Sequence, residues 1–328
     1  MVESVLVTGA TGLVGGALVR HFAAEGRRVY AAVRNVGRAR AQFGGLPNVE
    51  IVEWDVTKPG GPSLADAAGR AGAPRPPWDI DWLVHAAAET ATRNFVERPV
   101  ETIASILDGT RNALEFARAC EVKSMVYVSS MEVYGAPSAE TVTEADMGYL
   151  DPVRLRSNYP EAKRMAENLC VAYASEYGVP VKIARLAQTF GEGVRAEDNR
   201  VYAQFARSIL EGHDIVLRTD GSASRCYCAV SDVVAAIAVL LERGENATPY
   251  TVANESTFCS VREMAERLIA AHPESGARLV FDISEEAACT YPPSSRLKLD
   301  SSRLRALGWE PKVGLMEMYD QMMEGMRG

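Results

Sequence analysis

No run of eighteen apolar residues occurs anywhere in the 328-residue chain, so it offers no segment able to cross a bilayer as a helix. It also lacks a basic leader: Glu3 is acidic, and the first apolar run leads into glycines, so no secretory signal is expected. There is no long basic run. Lys and Arg number 35 against 43 Asp and Glu, a formal net charge of −8, which gives nucleic-acid binding little electrostatic support. Any anionic ligand must then meet a local basic pocket. Among six cysteines (Cys120, Cys170, Cys226, Cys228, Cys259, Cys289) the one close pair, Cys226-x-Cys228, has no second pair at zinc-ligand spacing. No metal site and no disulfide framework are expected, and the reading is of reduced, mostly buried thiols in a cytoplasmic enzyme. There is no internal repeat. What remains is a composition 47% apolar and 24% charged, that of a soluble globular protein with one large or two ordinary domains.

The most informative segment is Thr8-Gly9-Ala10-Thr11-Gly12-Leu13-Val14-Gly15, placed directly after the apolar run Val5-Leu6-Val7. A buried strand, a glycine turn and a helix start in that order build a pocket for a dinucleotide pyrophosphate. Gly9 permits the tight turn, Gly12 a close approach of backbone to phosphate, and Gly15 close packing of the helix on the strand. Spaced G-x-x-G-x-x-G, the glycines alone are equally consistent with an ordinary strand-to-helix turn.

Short β-branched runs predict strands at Ser4–Val7, Val29–Val33, Val49–Glu53, Trp82–Ala86, Ser124–Val128 and Val181–Arg185. Helical patterns fall between several of them, at Gly16–Glu25, Ile103–Ala119 and Pro160–Tyr177. The alternation predicts an α/β fold, a doubly wound parallel (Rossmann) sheet over residues 1–185, with a smaller substrate-binding α/β domain over 186–328, the two open to interleaving. Pro59–Pro77, rich in proline and glycine, predicts a surface loop with little regular structure.

Tyr159 and Lys163 lie four residues apart, on one face of a predicted helix. There an ammonium lowers the phenol's pKa and fits it to take a proton from a substrate hydroxyl. Upstream, Val126-Tyr127-Val128-Ser129-Ser130 reads as a buried strand ending in hydroxyls, where Ser130 would hold the same oxygen. A Tyr-x-x-x-Lys pair by itself is more often a solvated helix face. Here it follows a dinucleotide turn and a Ser-Ser strand end in the expected order.

With those residues the chain resembles the extended short-chain dehydrogenase/reductase family over essentially its whole length. The likeness extends to Asp55-Val56, His85-Ala86-Ala87-Ala88 and Leu307-Gly308-Trp309-Glu310-Pro311. It implies an NAD(P) cofactor held by Gly9, Thr11, Gly12, Leu13, Gly15, Asp55, Val56, Ala86, Ala87, Tyr159 and Lys163. It also implies oxidation and reduction of a sugar carbon, usually C4 of a nucleotide sugar, by Ser130, Tyr159 and Lys163. The segments around Arg185, Gln188, Arg200-Val201 and Arg225 are similar to those that grip the nucleoside diphosphate in such enzymes; Glu89, in an Ala88-Glu89-Thr90 run that resembles the dehydratases, and Arg93, as a partner for a substrate carboxylate, are further substrate candidates. Within the family the chain looks most like the UDP-glucuronate decarboxylases, through Ser130-Met131-Glu132-Val133-Tyr134-Gly135 and Arg156-Ser157-x-Tyr159-x-Glu161-x-Lys163-Arg164. Glu132 is the fourth catalytic candidate. Met131 stands where dehydratases of the dTDP-glucose type carry an acid, and a thioether cannot protonate a leaving hydroxyl.

The resemblance has three departures. Ile106 replaces a relay asparagine, Gln188 replaces a pyrophosphate-side asparagine, and the second predicted strand ends Val33-Arg34-Asn35 with no acid for a ribose 2′-hydroxyl. Arg34, with Arg38 nearby, leans toward the 2′-phosphate of NADP, while the family's habit leans toward NAD. A 4-epimerase, a 4,6-dehydratase and an NADPH-dependent keto-sugar reductase therefore stay open beside the decarboxylase. A homodimer is implied through the helices at Ile103–Ala119 and Pro160–Tyr177, with Leu107, Leu114, Phe116, Met165, Leu169 and Tyr173 as apolar positions.

Overall fold

The structure is a computed structural model that describes residues 4–64, 79–283 and 296–327. Two compact units divide the chain. The first comprises Met1–Gly135, Met147–Arg185 and Val234–Tyr250, the second Ala136–Asp146, Leu186–Val233 and Thr251–Gly328.

From the N-terminus the elements are β1 (Ser4–Thr8), α1 (Leu13–Ala24), β2 (Arg28–Val33), α2 (Val36–Phe43), β3 (Val49–Glu53), β4 (Ser63–Leu64) and β5 (Trp82–His85). There follow α3 (Asn94–Glu97), α4 (Pro99–Ala119), β6 (Ser124–Ser130), a 3-10 turn at Met131–Tyr134, α5 (Asn158–Tyr177), β7 (Val181–Leu186) and β8 (Gln188–Phe190). The remainder is α6 (Val201–Glu211), β9 (Ile215–Leu217), β10 (Ser224–Ala229), α7 (Val230–Arg243), β11 (Pro249–Val252), β12 (Asn254–Ser260), α8 (Val261–Ala271), β13 (Leu279–Phe281) and β14 (Arg296–Leu297), with helices Ser302–Arg305 and Leu315–Arg327 after them.

The large sheet has the order β11-β7-β6-β5-β1-β2-β3-β4. Parallel registers join β6 to β5, β5 to β1, β1 to β2 and β2 to β3, while β4 runs antiparallel to β3. Strands buried on both faces explain the unbroken Val5-Leu6-Val7 and Val29–Val33 runs. The direction of winding reverses between β1 and β5, and such a switch point is where a crevice opens at the carboxyl ends of the strands. The glycine turn lies there. Gly9 has φ +65°, and a Cβ on it would fall 2.8 Å from the Ala87 Cα and 2.9 Å from the Ala86 carbonyl. A Cβ on Gly15 would meet the Gly9 carbonyl oxygen at 2.3 Å. The spacing of these glycines is thus imposed by backbone packing as well as by any ligand.

In the second unit β10 pairs antiparallel with β12 and parallel with β8 and β14, and β9 pairs with β13. Its core centres on Phe190, stacked on Tyr202 at 4.5 Å and edge-on to Tyr227 and Tyr319. The Leu307–Pro311 motif is fastened to the start of α7: Trp309 Nε1 donates to the Asp232 carbonyl, and the Asp232 carboxylate accepts the Lys312 and Val313 amides.

Several expectations shift. Helix α4 begins at Pro99 rather than Ile103, because a proline fits the first helical turn, whose N–H has no intrahelical partner. Leu114 and Phe116, expected to face a second subunit, are buried in the core beside Val122 and Met125, whereas Met165 is exposed. Most of the Pro59–Pro77 segment lies outside the described residues, as does Cys289, but Ser63–Leu64 within it forms strand β4. Among the described residues no helix is long and apolar enough to cross a membrane.

Gly15→Ala is expected to destabilise the protein by about 1–3 kcal/mol or more, since a backbone carbonyl cannot give way as a flexible side chain would. Thermal unfolding of the variant checks this, and an unchanged midpoint would show that the turn has room.

Candidate active site

Ser130 ends β6, and its hydroxyl oxygen accepts the Glu132 amide at 3.2 Å, which starts the 3-10 turn. Across from it, α5 presents Tyr159 and Lys163, both buried, on the face that also carries Ala162 and Ala166. Those two small residues let the helix approach the sheet closely. The Lys163 Nζ donates to the Val128 carbonyl at 2.8 Å and stands 4.7 Å from the centre of the Tyr127 ring. Burial pushes its pKa down to about 8, against the pull of Glu167 and Cys170. The Tyr159 ring stacks on Phe95 at 4.3 Å, and Asn158 Nδ2 donates to the Phe95 carbonyl at 2.6 Å, so α3 fixes the start of the catalytic helix. On Phe95 also rests the Arg156 guanidinium, 4.7 Å from the ring centre, which pairs with Glu132 at 3.0 Å. Ser130, Glu132, Tyr159 and Lys163 are therefore carried by one strand end and the helix packed on it.

Of the residues expected at a dinucleotide, the glycine turn, Ala86 and Ala87 follow the two strands of the switch point, while Arg34 follows β2 and Asp55 and Val56 follow β3. No side chain caps Gly12 and no acid occupies the first turn of α1, which leaves its N-terminal N–H groups directed at the turn. Arg38 Nη2 donates to the Thr11 carbonyl at 3.1 Å, which sets a cation beside the glycines. Thr8 Oγ1 accepts the Ala87 amide and lies 2.8 Å from His85 Nδ1. Buried completely, His85 has its pKa pushed down to about 3 by desolvation and Lys163, so it stays neutral. Asp55 Oδ1 accepts the Thr57 amide and hydroxyl, and Asn112 Nδ2 reaches the Val56 carbonyl at 2.8 Å, which holds that loop to α4. Leu13 begins α1, and Ala86 and Ala87 continue from β5. Arg34, at the end of β2, is exposed and makes no hydrogen bond or ion pair with other described residues. An uncapped helix N-terminus, a cation at the turn and a glycine that only backbone fits are the features a pyrophosphate requires.

Among the residues expected at a substrate, four have their charge engaged elsewhere. Arg185 is buried, its guanidinium forked onto Glu167 at 2.7–3.1 Å, so it is a structural residue rather than a free cation. Arg93 is largely exposed and pairs with Glu97 one turn on. The Glu89 carboxylate accepts the Ala91 amide of its own loop at 3.0 Å. In the second unit Arg200 precedes α6, whose first residue is Val201, and Asp198 holds its guanidinium. Gln188 and Arg225 lie on the neighbouring strands β8 and β10, and the Arg225 guanidinium, unlike its backbone, has no hydrogen-bond or ion-pair partner among the described residues. Two contributors escaped the sequence reading. Phe95 had no signal, but Glu167 continues the Tyr159, Lys163 series by another four residues and so was visible as a third position on that face.

A model of the NAD dependent epimerase/dehydratase family matches residues 5–254. The chain belongs to this family. UDP-glucuronic acid decarboxylase 1 of Xenopus tropicalis is 30% identical, over 99% of this chain and 72% of its own length. UDP-glucuronic acid decarboxylase 6 of Arabidopsis thaliana is 29% identical, over 98% of this chain and 88% of its own length. In fold the chain is similar to a UDP-glucose 4-epimerase from Thermotoga maritima, with TM-score 0.79, 21% identity and 99% of each chain covered. It is also similar to a dTDP-glucose 4,6-dehydratase from Streptomyces venezuelae, with TM-score 0.78, 23% identity, and 98% of this chain and 96% of that one covered. The extended short-chain dehydrogenase/reductase fold is thereby shown.

Lys163 lends itself to a stability test. Its folded pKa of about 8 lies below the ordinary 10.5, so between those values the unfolded chain binds a proton that the folded chain does not. Stability is then fully present above the higher value and is lost as pH falls through the lower one. Lys163→Met is expected to unfold at the same or a higher temperature than wild type at pH 7, with the margin shrinking above pH 8. A variant clearly less stable at pH 7 would show that the Val128 hydrogen bond outweighs the burial cost.

Proposed function

We propose that the protein modifies a nucleotide sugar through transient oxidation at C4, and that its reaction is decarboxylation of UDP-glucuronate. The observation that carries the reading is the placement of the charged pair Glu132–Arg156 directly beside the Ser130, Tyr159, Lys163 set, in a chain similar over its full length to named UDP-glucuronic acid decarboxylases. Ser130 and Tyr159 bind the C4 hydroxyl, and Tyr159 takes its proton with the buried Lys163 ammonium favouring the phenolate. An NAD(P) cofactor with its pyrophosphate at the glycine turn would supply the hydride acceptor and donor. A C4 ketone lies β to the C6 carboxylate, so the C5–C6 bond breaks with its electrons moving into the ketone, which the Tyr159 phenol polarises. C5 then takes a proton. Glu132 orients the sugar, while Gln188, Arg200, Val201 and Arg225 bind the nucleoside diphosphate, with Arg225 the unpaired cation best able to meet it. Met131 speaks against the dehydratase alternative, because its thioether cannot protonate a leaving 6-hydroxyl.

Asp55 and Val56 serve the adenosine side, and Arg34, free of carboxylate partners among the described residues, supports acceptance of NADP where the family's description names NAD. A cytoplasmic homodimer completes the reading, supported by five free thiols among the described residues and by the exposed apolar side chains Ile103 and Met165 on α4 and α5.

UDP-glucuronate given to the wild type is expected to yield CO2 with UDP-xylose or its 4-keto precursor, as read by mass spectrometry across a panel of nucleotide sugars. Tyr159→Phe should slow this by about a hundred- to ten-thousand-fold with the cofactor still bound, and Glu132→Gln should block it. Clean UDP-galacturonate or a 4-keto-6-deoxy product would move the assignment to epimerase or dehydratase. For the cofactor, Arg34→Asp is expected to weaken NADP binding strongly and leave NAD binding equal or improved. Calorimetric titration reads both affinities, and values equal for both cofactors before and after the change would make Arg34 a surface residue.

A further inference from the structure

Beneath the candidate site lies a buried charge cluster that the chemistry above does not use. Glu167, one helical turn beyond Lys163, is 6% exposed. Its Oε1 accepts the Ser129 hydroxyl at 2.5 Å and Arg185 Nε at 3.1 Å, and its Oε2 accepts Arg185 Nε at 3.1 Å and Nη2 at 2.7 Å. The Arg185 guanidinium in turn stands 5.0 Å from the centre of the Tyr134 ring, at the end of the 3-10 turn that carries Glu132. One carboxylate therefore joins the residue before Ser130, the helix of Tyr159 and Lys163, and, through Arg185, the turn of Glu132.

Stability does not account for such a cluster. Replacing a buried ion pair by apolar side chains of similar volume is often neutral or stabilising, because desolvating two charges offsets their attraction. What a forked, fully hydrogen-bonded pair supplies is direction: the fork admits one arrangement of α5 against β6 and β7, where an apolar contact would tolerate sliding.

We propose that Glu167 is a positioning residue for the Ser130, Tyr159, Lys163 set. Its carboxylate, fixed between the Ser129 hydroxyl and the Arg185 guanidinium, sets the register of α5 on the end of β6 and cancels the charge that Lys163 would otherwise feel. The inference rests on Tyr159 and Lys163 being the acid–base pair proposed above. The groups around Lys163 are His85 on β5, Tyr127 on β6, and Tyr159, Glu167 and Cys170 on its own helix, with Arg185 on β7 behind Glu167. His85 is neutral and burial raises the Tyr127 and Cys170 groups far from neutral pH, so Glu167 and Arg185 are the fixed charges of the set.

Two neutral variants should act in opposite directions. Glu167→Gln removes the negative charge and leaves Arg185 unbalanced, which favours the phenolate and the free amine. The acid limb of the kcat/KM profile and the Lys163 titration should both move to lower pH. Arg185→Gln leaves the carboxylate unbalanced and should move both to higher pH. About one pH unit is expected in each case, the effect of one unscreened charge a helical turn away. The Lys163 titration is read by NMR on cofactor-free protein labelled in its lysines and assigned with Lys163→Met. Displacements in the same direction, or none despite lost stability, would overturn the proposal. Should either variant fail to fold, Ser129→Ala decides: it leaves both charges in place, and kcat should fall about tenfold with KM unchanged, whereas an unchanged kcat would refute the clamp. If Tyr159→Phe turns over at the wild-type rate, the acid–base reading fails, and the NMR titration still judges Glu167 and Arg185.

Discussion

An ammonium group held against the end of a parallel strand is the constraint on which the candidate site is built. Among the described residues Lys163 donates to the Val128 carbonyl, faces the Tyr127 ring and feels the charge of Glu167 one helical turn on. To keep it there, α5 must come close to β6, and Ala162 and Ala166 permit that approach. The same closeness lets Glu167, further along α5, accept the Ser129 hydroxyl at the strand end. A larger residue at either alanine would push α5 away from the sheet.

A second close approach operates on backbone alone. Thr8 and Gly9 from the first strand-turn-helix unit meet His85 at the end of β5 and Ala86 and Ala87 after it, Gly15 closes on Gly9 from the helix side, and no side chain fits between Gly9 and Ala86 or Ala87. Thr8 serves both sides, since its oxygen accepts the Ala87 amide and faces His85. The two strands on either side of the switch point are thus tied at their carboxyl ends. A crevice with such walls keeps its shape whether or not a ligand fills it, which is the preorganisation that binding a long dinucleotide rewards.

The fold was readable in the sequence because two-faced burial writes itself as unbroken β-branched runs, and the glycine turn because few residues tolerate its geometry. That Tyr159 and Lys163 share one buried face of α5 was readable for a related reason: four-residue spacing on a helix is a spatial statement. Arginines were read least well. From sequence Arg185, Arg93 and Arg200 are three available cations, yet each is engaged by Glu167, Glu97 or Asp198. Pairing across elements, as between Arg185 on β7 and Glu167 on α5, depends on tertiary approach and leaves no local trace. Leu114 and Phe116 failed in the same way: helical spacing marks an apolar face, and only the neighbouring elements decide whether it meets the core or another subunit.

Ile106 bears on which reaction the site is suited to. It is enclosed in the apolar core, so that position offers no polar step from the site toward solvent. An enzyme that reduces a ketone with free cofactor consumes a proton from water in every turnover and needs such a route. Internal recycling does not, because the proton Tyr159 takes from the C4 hydroxyl is returned to the same oxygen when the ketone is reduced. With a buried Lys163, an apolar Ile106 and a neutral His85 around it, Tyr159 sits in a site better suited to holding one proton through a cycle than to importing a new one. That favours chemistry in which C4 is oxidised and then restored over net reduction, and in the decarboxylase reading it leaves the proton that C5 takes from water on losing CO2 to a route other than Tyr159.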